Sequence, residues 1–462
     1  MAESGTTHTC QVTLLIPHPE RAAVLVADEP ERRGGAVVPR VRMPSLWLDD
    51  EEPLLSTILD STELLDADTA VVLRQVLTSG PGEDDEEDVG LSVVVELEAG
   101  TAETPAGWRW QDLDDDVIAR TEPGTAREVL ASWSQERTEG WSPLRPPWAR
   151  PGWFADASAW MVEQMATDGH PALSLPRQHQ LWGVSVVLRA PSDVGDVFFK
   201  SSAEIFRQEA AVTQALATRM PDLTPEVITA DGARGRLLMR DLAAAELGQQ
   251  DQSHWHKGVA ALAAIQQQWL GRTEELLALG VPLRSLTDLA VQVQEMSEDA
   301  ALLGRMSSEL RDEWLATVPA LLDSVRRLDD LGPGPTLVHG DFHPWNVTLG
   351  ADGIRVFDWT DAAVSHPFVD LATFVFRTRD VSVRRRLVDA WVAAWSEVGP
   401  AESVHEAASL GLVVGALYQV QTYRLLLPAL MADGADDGMA GGDVAWVNRS
   451  LTRRRLGIES PH

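Results

Sequence analysis

The chain has one cysteine, Cys10. That excludes an internal disulfide and fits a reducing compartment such as the cytoplasm. Lysine is nearly as scarce: there are only Lys200 and Lys257, and the remaining basic residues are all arginine. No run of about 18 uncharged apolar residues occurs, so no membrane-spanning helix is expected. The start, Met1 to Gly5, lacks the basic and apolar regions of a secretion signal. A basic stripe is missing as well. The net charge is −32, of which residues 1–150 carry −18 and the remainder −14. Nothing in that distribution offsets phosphate repulsion, which excludes nucleic acid as a partner. Acidity of this kind serves solubility and also suits a cationic small molecule.

The length of 462 residues implies two or three structural units. The densest chemistry lies in His339-Gly340-Asp341-Phe342-His343-Pro344-Trp345-Asn346, followed by Phe357-Asp358-Trp359. Asp341 can take the proton of an attacking hydroxyl, and Asn346 and Asp358 can offer oxygen ligands to Mg²⁺. Phosphoryl transfer needs this set, because it consists mostly of positioning and charge neutralisation around a triphosphate. Asp, four residues, then Asn is the spacing of a protein-kinase-like catalytic loop. Asp and Asn also shape turns, and the spacing to Asp358 decides between the two readings. Val347 to Leu349 and Ile354 to Phe357 are β-prone runs around the turn Gly350-Ala351-Asp352-Gly353. Pairing Leu349 with Ile354 brings Asn346 opposite Phe357 and beside Asp358. One hard cation can then reach both side chains.

The stretch from Thr336 to Phe376 resembles the aminoglycoside phosphotransferase and choline-kinase-like group of small-molecule kinases. The shared marks are His-Gly-Asp with the later Asn, then Asp358-Trp359, then His366-Pro367-Phe368-Val369-Asp370-Leu371. The resemblance implies an α+β, two-lobe protein-kinase-like fold, with a β-rich N-lobe over residues 156–241 and a helical C-lobe over 242–462. It implies ATP and Mg²⁺ as cofactors, Asp341 as base, and Asn346 and Asp358 as metal ligands. Asp370 becomes a structural acceptor, and its position before Leu371 to Phe374 also reads as a helix N-cap. Asp361 and His343 lie near the site, with His343 structural rather than catalytic.

The same group has a nucleotide-binding lobe upstream. Lys200 ends the apolar run Asp196 to Phe199, which follows Val184 to Arg189 across the loop 191–195, as a second hairpin would. A lysine on such a strand reaches α- and β-phosphates. Ile205, Glu209, Val212 and Leu216 recur at helical spacing. That spacing offers Gln208 or Glu209, and the resemblance implies Glu209, in the place of the group's helix glutamate, as the partner of Lys200, with Glu204 as the fallback. An exposed lysine and an exposed helix glutamate are the usual fate of both residue types. Leu237 to Leu242 resembles the strand and hinge whose main chain meets the adenine edge, at Arg240 and Leu242. The loop before the second strand, Pro176 to Gly183, departs from the group because it has one glycine where several free N–H groups usually cradle phosphate. Ser185 and the neighbourhood of Gln180 and Trp182 are the alternatives.

Residues 1–137 read as a separate small α/β domain. Strands are expected near Gln11 to Ile16, Ala22 to Ala27, Thr69 to Val76 and Leu91 to Leu97, with helices over Glu52 to Leu65 and Val117 to Gln135. The order faintly resembles a Nudix-type domain, yet the Arg-Glu-x-x-Glu-Glu array is missing, so a non-catalytic docking or sensing role is expected. The acidic run 83–88 reads as a solvated loop. Residues 138–155, with Trp141, Trp148 and Trp153 among prolines, read as a stiff packed linker. Arg453 to Arg455 reads as a solvated helix end.

The expected activity is transfer of the ATP γ-phosphoryl group to a small-molecule hydroxyl of amino-sugar, aminoglycoside or amino-alcohol type. Tyr418, Gln421 and Tyr423 are candidates to line the acceptor site or to pack the helices. A nucleotide-binding pseudokinase using its N-terminal domain for interaction is the alternative, and a Nudix-like hydrolase with an appended kinase-like fold is a further one.

Overall fold

A computed structural model describes residues 10–18, 20–27, 32–33, 36–37, 41–42, 45–48, 71–79, 91–98, 103–104, 107–122, 124–142, 145–432 and 441–460. The expected helix 52–65 and the acidic run 83–88 lie outside the described residues. The chain forms two compact units, Met1–Asp193 with Pro428–Gly438, and Val194–Leu427 with Met439–His462.

In the first unit, four strands form a mixed sheet in the order Ser45–Leu48, Cys10–Leu15, Leu91–Glu98, Val71–Ser79. Its central pair is parallel, with Val12 opposite Val93. Ala23–Ala27 pairs separately with Trp108–Asp112. The expected helix over 117–135 is divided into Asp115–Ala119 and Gly124–Glu139. Between them Thr121–Glu122 form a short strand beside Val41–Arg42, and Glu122 precedes a proline in the sequence, a position pushed out of the helical region. The tryptophan-rich segment packs down through Arg145. Its guanidinium is fully buried and bonds Glu96 and Glu136, while Glu96 also accepts from Arg74 at 2.7 Å. Farther along, Arg177–Leu181 pairs antiparallel with Ser185–Ser192.

The second unit begins with the strand Gly195–Ser202, which pairs with Arg236–Arg240, and that strand pairs with Val227–Asp231. Only Asp193 and Val194 separate Ser185–Ser192 from Gly195–Ser202, a shorter connection than the loop 191–195 expected from sequence. The helix Gln208–Arg219 follows, and from Trp255 onward the unit is mostly helical. Polar caps start several of these helices. Ser285 accepts from the Asp288 N–H, Ser307 from Leu310, and Asp380 from Ser382.

The core of this unit sits beneath the loop 339–346. Phe342 is fully buried and stacks on Phe374 with ring centroids 4.6 Å apart. Trp359, Trp391 and Trp395 are buried in the same cluster. The long helix Ala401–Ala432 approaches closely because it carries Gly415, where an added Cβ would lie 2.3 Å from the Val369 carbonyl oxygen. Among the described residues no helix is long and apolar enough to cross a membrane.

Candidate functional site

The loop carrying Asp341 runs between the strand Thr336–Val338 and a short 3₁₀ turn, Pro344–Asn346. His339 and Phe342 are fully buried in the core, while the Asp341 side chain is 42% exposed. Gly340 is required there. Its φ is +84°, and a Cβ would sit 2.2 Å from the Asp361 carbonyl oxygen.

Asp370 holds the loop from below. Its carboxylate accepts the main-chain N–H of His339 at 2.8 Å, that of Gly340 at 2.9 Å, and the amide of Gln266 at 2.8 Å. The N-cap reading is therefore corrected. Asp370 precedes the helix Leu371–Val375 but makes no capping bond, because its acceptor oxygens are already committed to the loop. Gln419 adds a second tether through its amide to the Gly340 carbonyl.

The hairpin forms in the expected register, with Leu349 opposite Ile354. Gly350 and Gly353 also pair, so the turn shrinks from the expected four residues to Ala351 and Asp352. The Phe357 N–H bonds the Asn346 carbonyl at 3.0 Å, bringing Asn346 next to Asp358. The Asn346 amide nitrogen donates to the Asp341 main-chain carbonyl at 3.0 Å, which leaves its oxygen as the free end. Asp358 has φ +63°, an unfavourable conformation for a residue with a Cβ.

Lys200 ties the strands to this loop. Its ammonium donates to Glu209 at 2.8 Å, Asp358 at 2.7 Å and Thr360 at 2.8 Å. Glu209, 3% exposed, also accepts from Ser202. Glu204, the fallback, instead pairs with Arg207 at the surface. Burial pulls the Lys200 pKa down, but the Asp358 and Glu209 carboxylates outweigh it and hold the ammonium above its ordinary range. Burial raises both acids as well. The charge of Lys200 reverses the effect for Asp358, which is held well below the usual carboxylate range, while Glu209 stays raised. Asp341 is likewise lowered, with burial outweighed by the bond and charge of His343, whose Nε2 lies 3.4 Å from its carboxylate. Burial and the charge of Asp341 push Asp361 up to about 8.

The donor set suits a hard divalent cation. It offers the Asn346 amide oxygen, the Asp358 oxygen not used by Lys200 and Thr360, and the half-exposed Asp341 carboxylate. Among the described residues no three His, Cys, Asp or Glu side chains converge as a metal cage. A mixed amide–carboxylate set of this kind fits Mg²⁺, which keeps waters and shares itself with phosphates.

A cavity of about 680 Å³ opens beside Asp361. Asp288, Glu295 and Asp361 line it with Arg284 and Gln421. Arg284 is already committed, to Thr422 at 2.9 Å and the Tyr418 carbonyl at 3.1 Å, and lies over the Tyr418 ring. Of the residues proposed for the acceptor, Gln421 faces this space. Tyr418 is 2% exposed and packs the core, and Tyr423 packs against Gly442.

Three further residues were expected at the nucleotide. Ser185 is buried on its strand in the first unit. The Arg240 guanidinium pairs with Glu226 at 2.9 Å, and its N–H bonds the Glu226 carbonyl, so neither is free for a nucleotide. Leu242 makes no main-chain hydrogen bond, and Ala243 after it has φ +48°. Thr360, Ser202, Gln266 and Gln419 were missed by sequence reasoning. Only Thr360, two residues after Asp358, carries a local signal.

Residues 185–402 match the model of the phosphotransferase enzyme family. No curated protein sequence matches the chain. Among solved structures, a macrolide 2′-phosphotransferase of Brachybacterium faecium aligns at 18% identity, over 63% of this chain and 98% of that one, with TM-score 0.44. The GDP complex of aminoglycoside 2′-phosphotransferase-IIIa aligns at 13% identity, over 65% and 99%, with TM-score 0.47. A choline kinase from Cryptosporidium parvum Iowa II aligns at 9% identity, over 62% and 91%, with TM-score 0.42. The likeness to the phosphotransferase enzyme family thus spans residues 185–402, the stretch that carries the Lys200, Asp341, Asn346 and Asp358 side chains.

Proposed function

We propose that this chain transfers the γ-phosphoryl group of Mg·ATP to a hydroxyl of a small cationic acceptor, of amino-sugar, aminoglycoside or amino-alcohol type. The observation that carries the reading is the linkage of Lys200 to both Glu209 and Asp358 beside the Asp341–Asn346 loop. In this mechanism Asp341 accepts the hydroxyl proton and aims the oxygen. Its lowered pKa keeps it ionised at neutral pH, so it acts chiefly by orientation. Asn346 and Asp358 would hold Mg²⁺, which would supply positive charge against the phosphates. Lys200 turns toward the α- and β-phosphates, braced by Glu209. Leu242 offers its unused main-chain groups to the nucleobase. The cavity beside Asp361 receives the acceptor; the Asp288 and Glu295 carboxylates, against one committed arginine, favour an amine.

The first domain acts without its own catalysis, and residues 1–137 are read as a degenerate Nudix-like module. Dependence on ATP assigns the protein to the cytoplasm. The test is a panel of hydroxylated amines incubated with labelled ATP and Mg²⁺. Label is expected on at least one acceptor, and none with Asp341→Asn. Failure of ATP or GTP to raise the melting temperature would refute the reading, since a ligand at 100 times its Kd adds roughly 2.7 kcal/mol.

A further inference from the structure

The helix Gly442–Leu456 places Trp446, Arg449 and Arg453 on one face, at spacings of three and four residues. The expectation that Arg453 to Arg455 is a solvated helix end holds for Arg454 and Arg455, which are exposed, but not for Arg453. Arg453 is 2% exposed, and its guanidinium lies 4.1 Å from the Phe376 ring centre and 5.0 Å from that of Trp446. Arg384, 1% exposed, covers Phe376 at 4.8 Å. Arg449 covers Trp446 at 4.5 Å.

Stacking satisfies the faces of these guanidinium groups and leaves their edges. Arg384 uses part of its edge on the carbonyls of Thr378, Ile458 and Ser460. Arg453 Nε and Nη1, Arg384 Nη2 and Trp446 Nε1 are buried and have no hydrogen-bond partner. All four are donors, and an arginine cannot escape the cost of burial by losing its proton. The nearby carboxylates are taken: Glu459 pairs with Arg385, and Asp443 with Arg305. A cluster of desolvated donors carrying like charges calls for an acceptor with negative charge.

We propose that Arg453, Arg384, Arg449 and Trp446 form a binding site for an oxyanion of the phosphate class, separate from the nucleotide site. The half-buried Arg449 stands at its mouth, and the ligand enters by displacing that side chain. Exposed Arg377, 6.0 Å from the ring centre of Trp345 on the catalytic loop, lies on the approach. Burial and the like charges of Arg449, Arg384 and Arg377 lower the Arg453 pKa to about 9, which still leaves it charged at neutral pH and which a bound anion would reverse.

The test titrates inorganic phosphate into the full chain, with chloride holding ionic strength constant and Mg·ADP saturating. The wild type is expected to show a saturable rise in melting temperature. Arg449→Gln, at a half-exposed position, should bind phosphate about tenfold more weakly, the loss of one charge-assisted contact. Arg453→Met, an apolar replacement of similar length, should lose the response entirely. Methyl phosphate separates the sources: binding as tight as that of phosphate indicates a phosphoryl group carried on a larger molecule, and exclusion indicates the free ion. Equal responses in wild type and Arg449→Gln, or no response above the chloride control, would overturn the site.

Discussion

Replacing Asp370 tests the idea that the catalytic loop is hung from one buried carboxylate. Asp370→Ala leaves the His339 and Gly340 N–H groups and the Gln266 amide without their acceptor. A buried donor deprived of its partner costs about 1–3 kcal/mol. Three of them set an upper range near 9 kcal/mol, and a water entering the vacated space would reduce it. The expected loss is about 3–5 kcal/mol, since the mutation also relieves the burial of a carboxyl. For a unit of this size that corresponds to a fall of roughly 6–20 °C in melting temperature. Asp370→Ser distinguishes this role from helix capping. Serine is a good N-cap, and loss of a cap costs only about 0.5–2 kcal/mol, but its single short hydroxyl cannot serve three donors. If thermal unfolding places Asp370→Ser within about 1 kcal/mol of wild type, the reasoning is wrong. The pH dependence gives a second check. Burial raises the Asp370 pKa to about 7 against the pull of its donors. A carboxyl raised on folding contributes stability that is complete below its unfolded pKa near 4 and is lost as pH rises through the folded value. Asp370→Asn cannot ionise, so its stability should change less than that of wild type between about pH 4 and pH 7.

Asp341→Asn should lower kcat by about 10²–10⁴ while leaving nucleotide-induced stabilisation intact, measured by acceptor phosphorylation and thermal shift. Lys200→Met strands the buried Glu209 carboxylate and should cost roughly 3–5 kcal/mol in urea unfolding. Adding Glu209→Leu should recover most of that loss, because a buried ion pair can be replaced by apolar groups at little cost. Gly340→Ala forces a left-handed backbone and an overlap with the Asp361 carbonyl, and should destabilise by about 2–5 kcal/mol.

The parts of the site that were legible in the sequence are those that local geometry dictates. The hairpin register followed from two β-prone runs and a turn, and with it the approach of Asn346 to Asp358. The pairing of Lys200 with Glu209 was implied by the resemblance to kinases with a strand lysine and a helix glutamate, and helix periodicity placed Glu209 within reach. Asp370 was legible as an acceptor and misread as a cap, because its donors lie about thirty residues upstream and a carboxylate before a helix looks the same in either role. Arg453 looked like a solvated terminus because nothing in the run of three arginines tells which one faces the core. The helices were visible as periodicity, but their close packing at Gly415 depends on a carbonyl more than forty residues away.

How donors are shared is the property furthest from the sequence, and Lys200 makes the point. An ammonium has three protons to donate. Here Glu209, Asp358 and Thr360 accept all three, the last across 160 positions of chain. A phosphate oxygen can therefore reach Lys200 only by displacing one of these partners. Glu209 is the worst to displace, since it is buried and would be left with only its bond from Ser202. Asp358 is 39% exposed on its side chain and adopts a backbone conformation that its present bonds offset, so it is the partner most easily released. A cation that took over the Asp358 carboxylate would release the lysine in the same step. Metal and nucleotide binding are then linked through one side chain, and each should strengthen the other by the same factor.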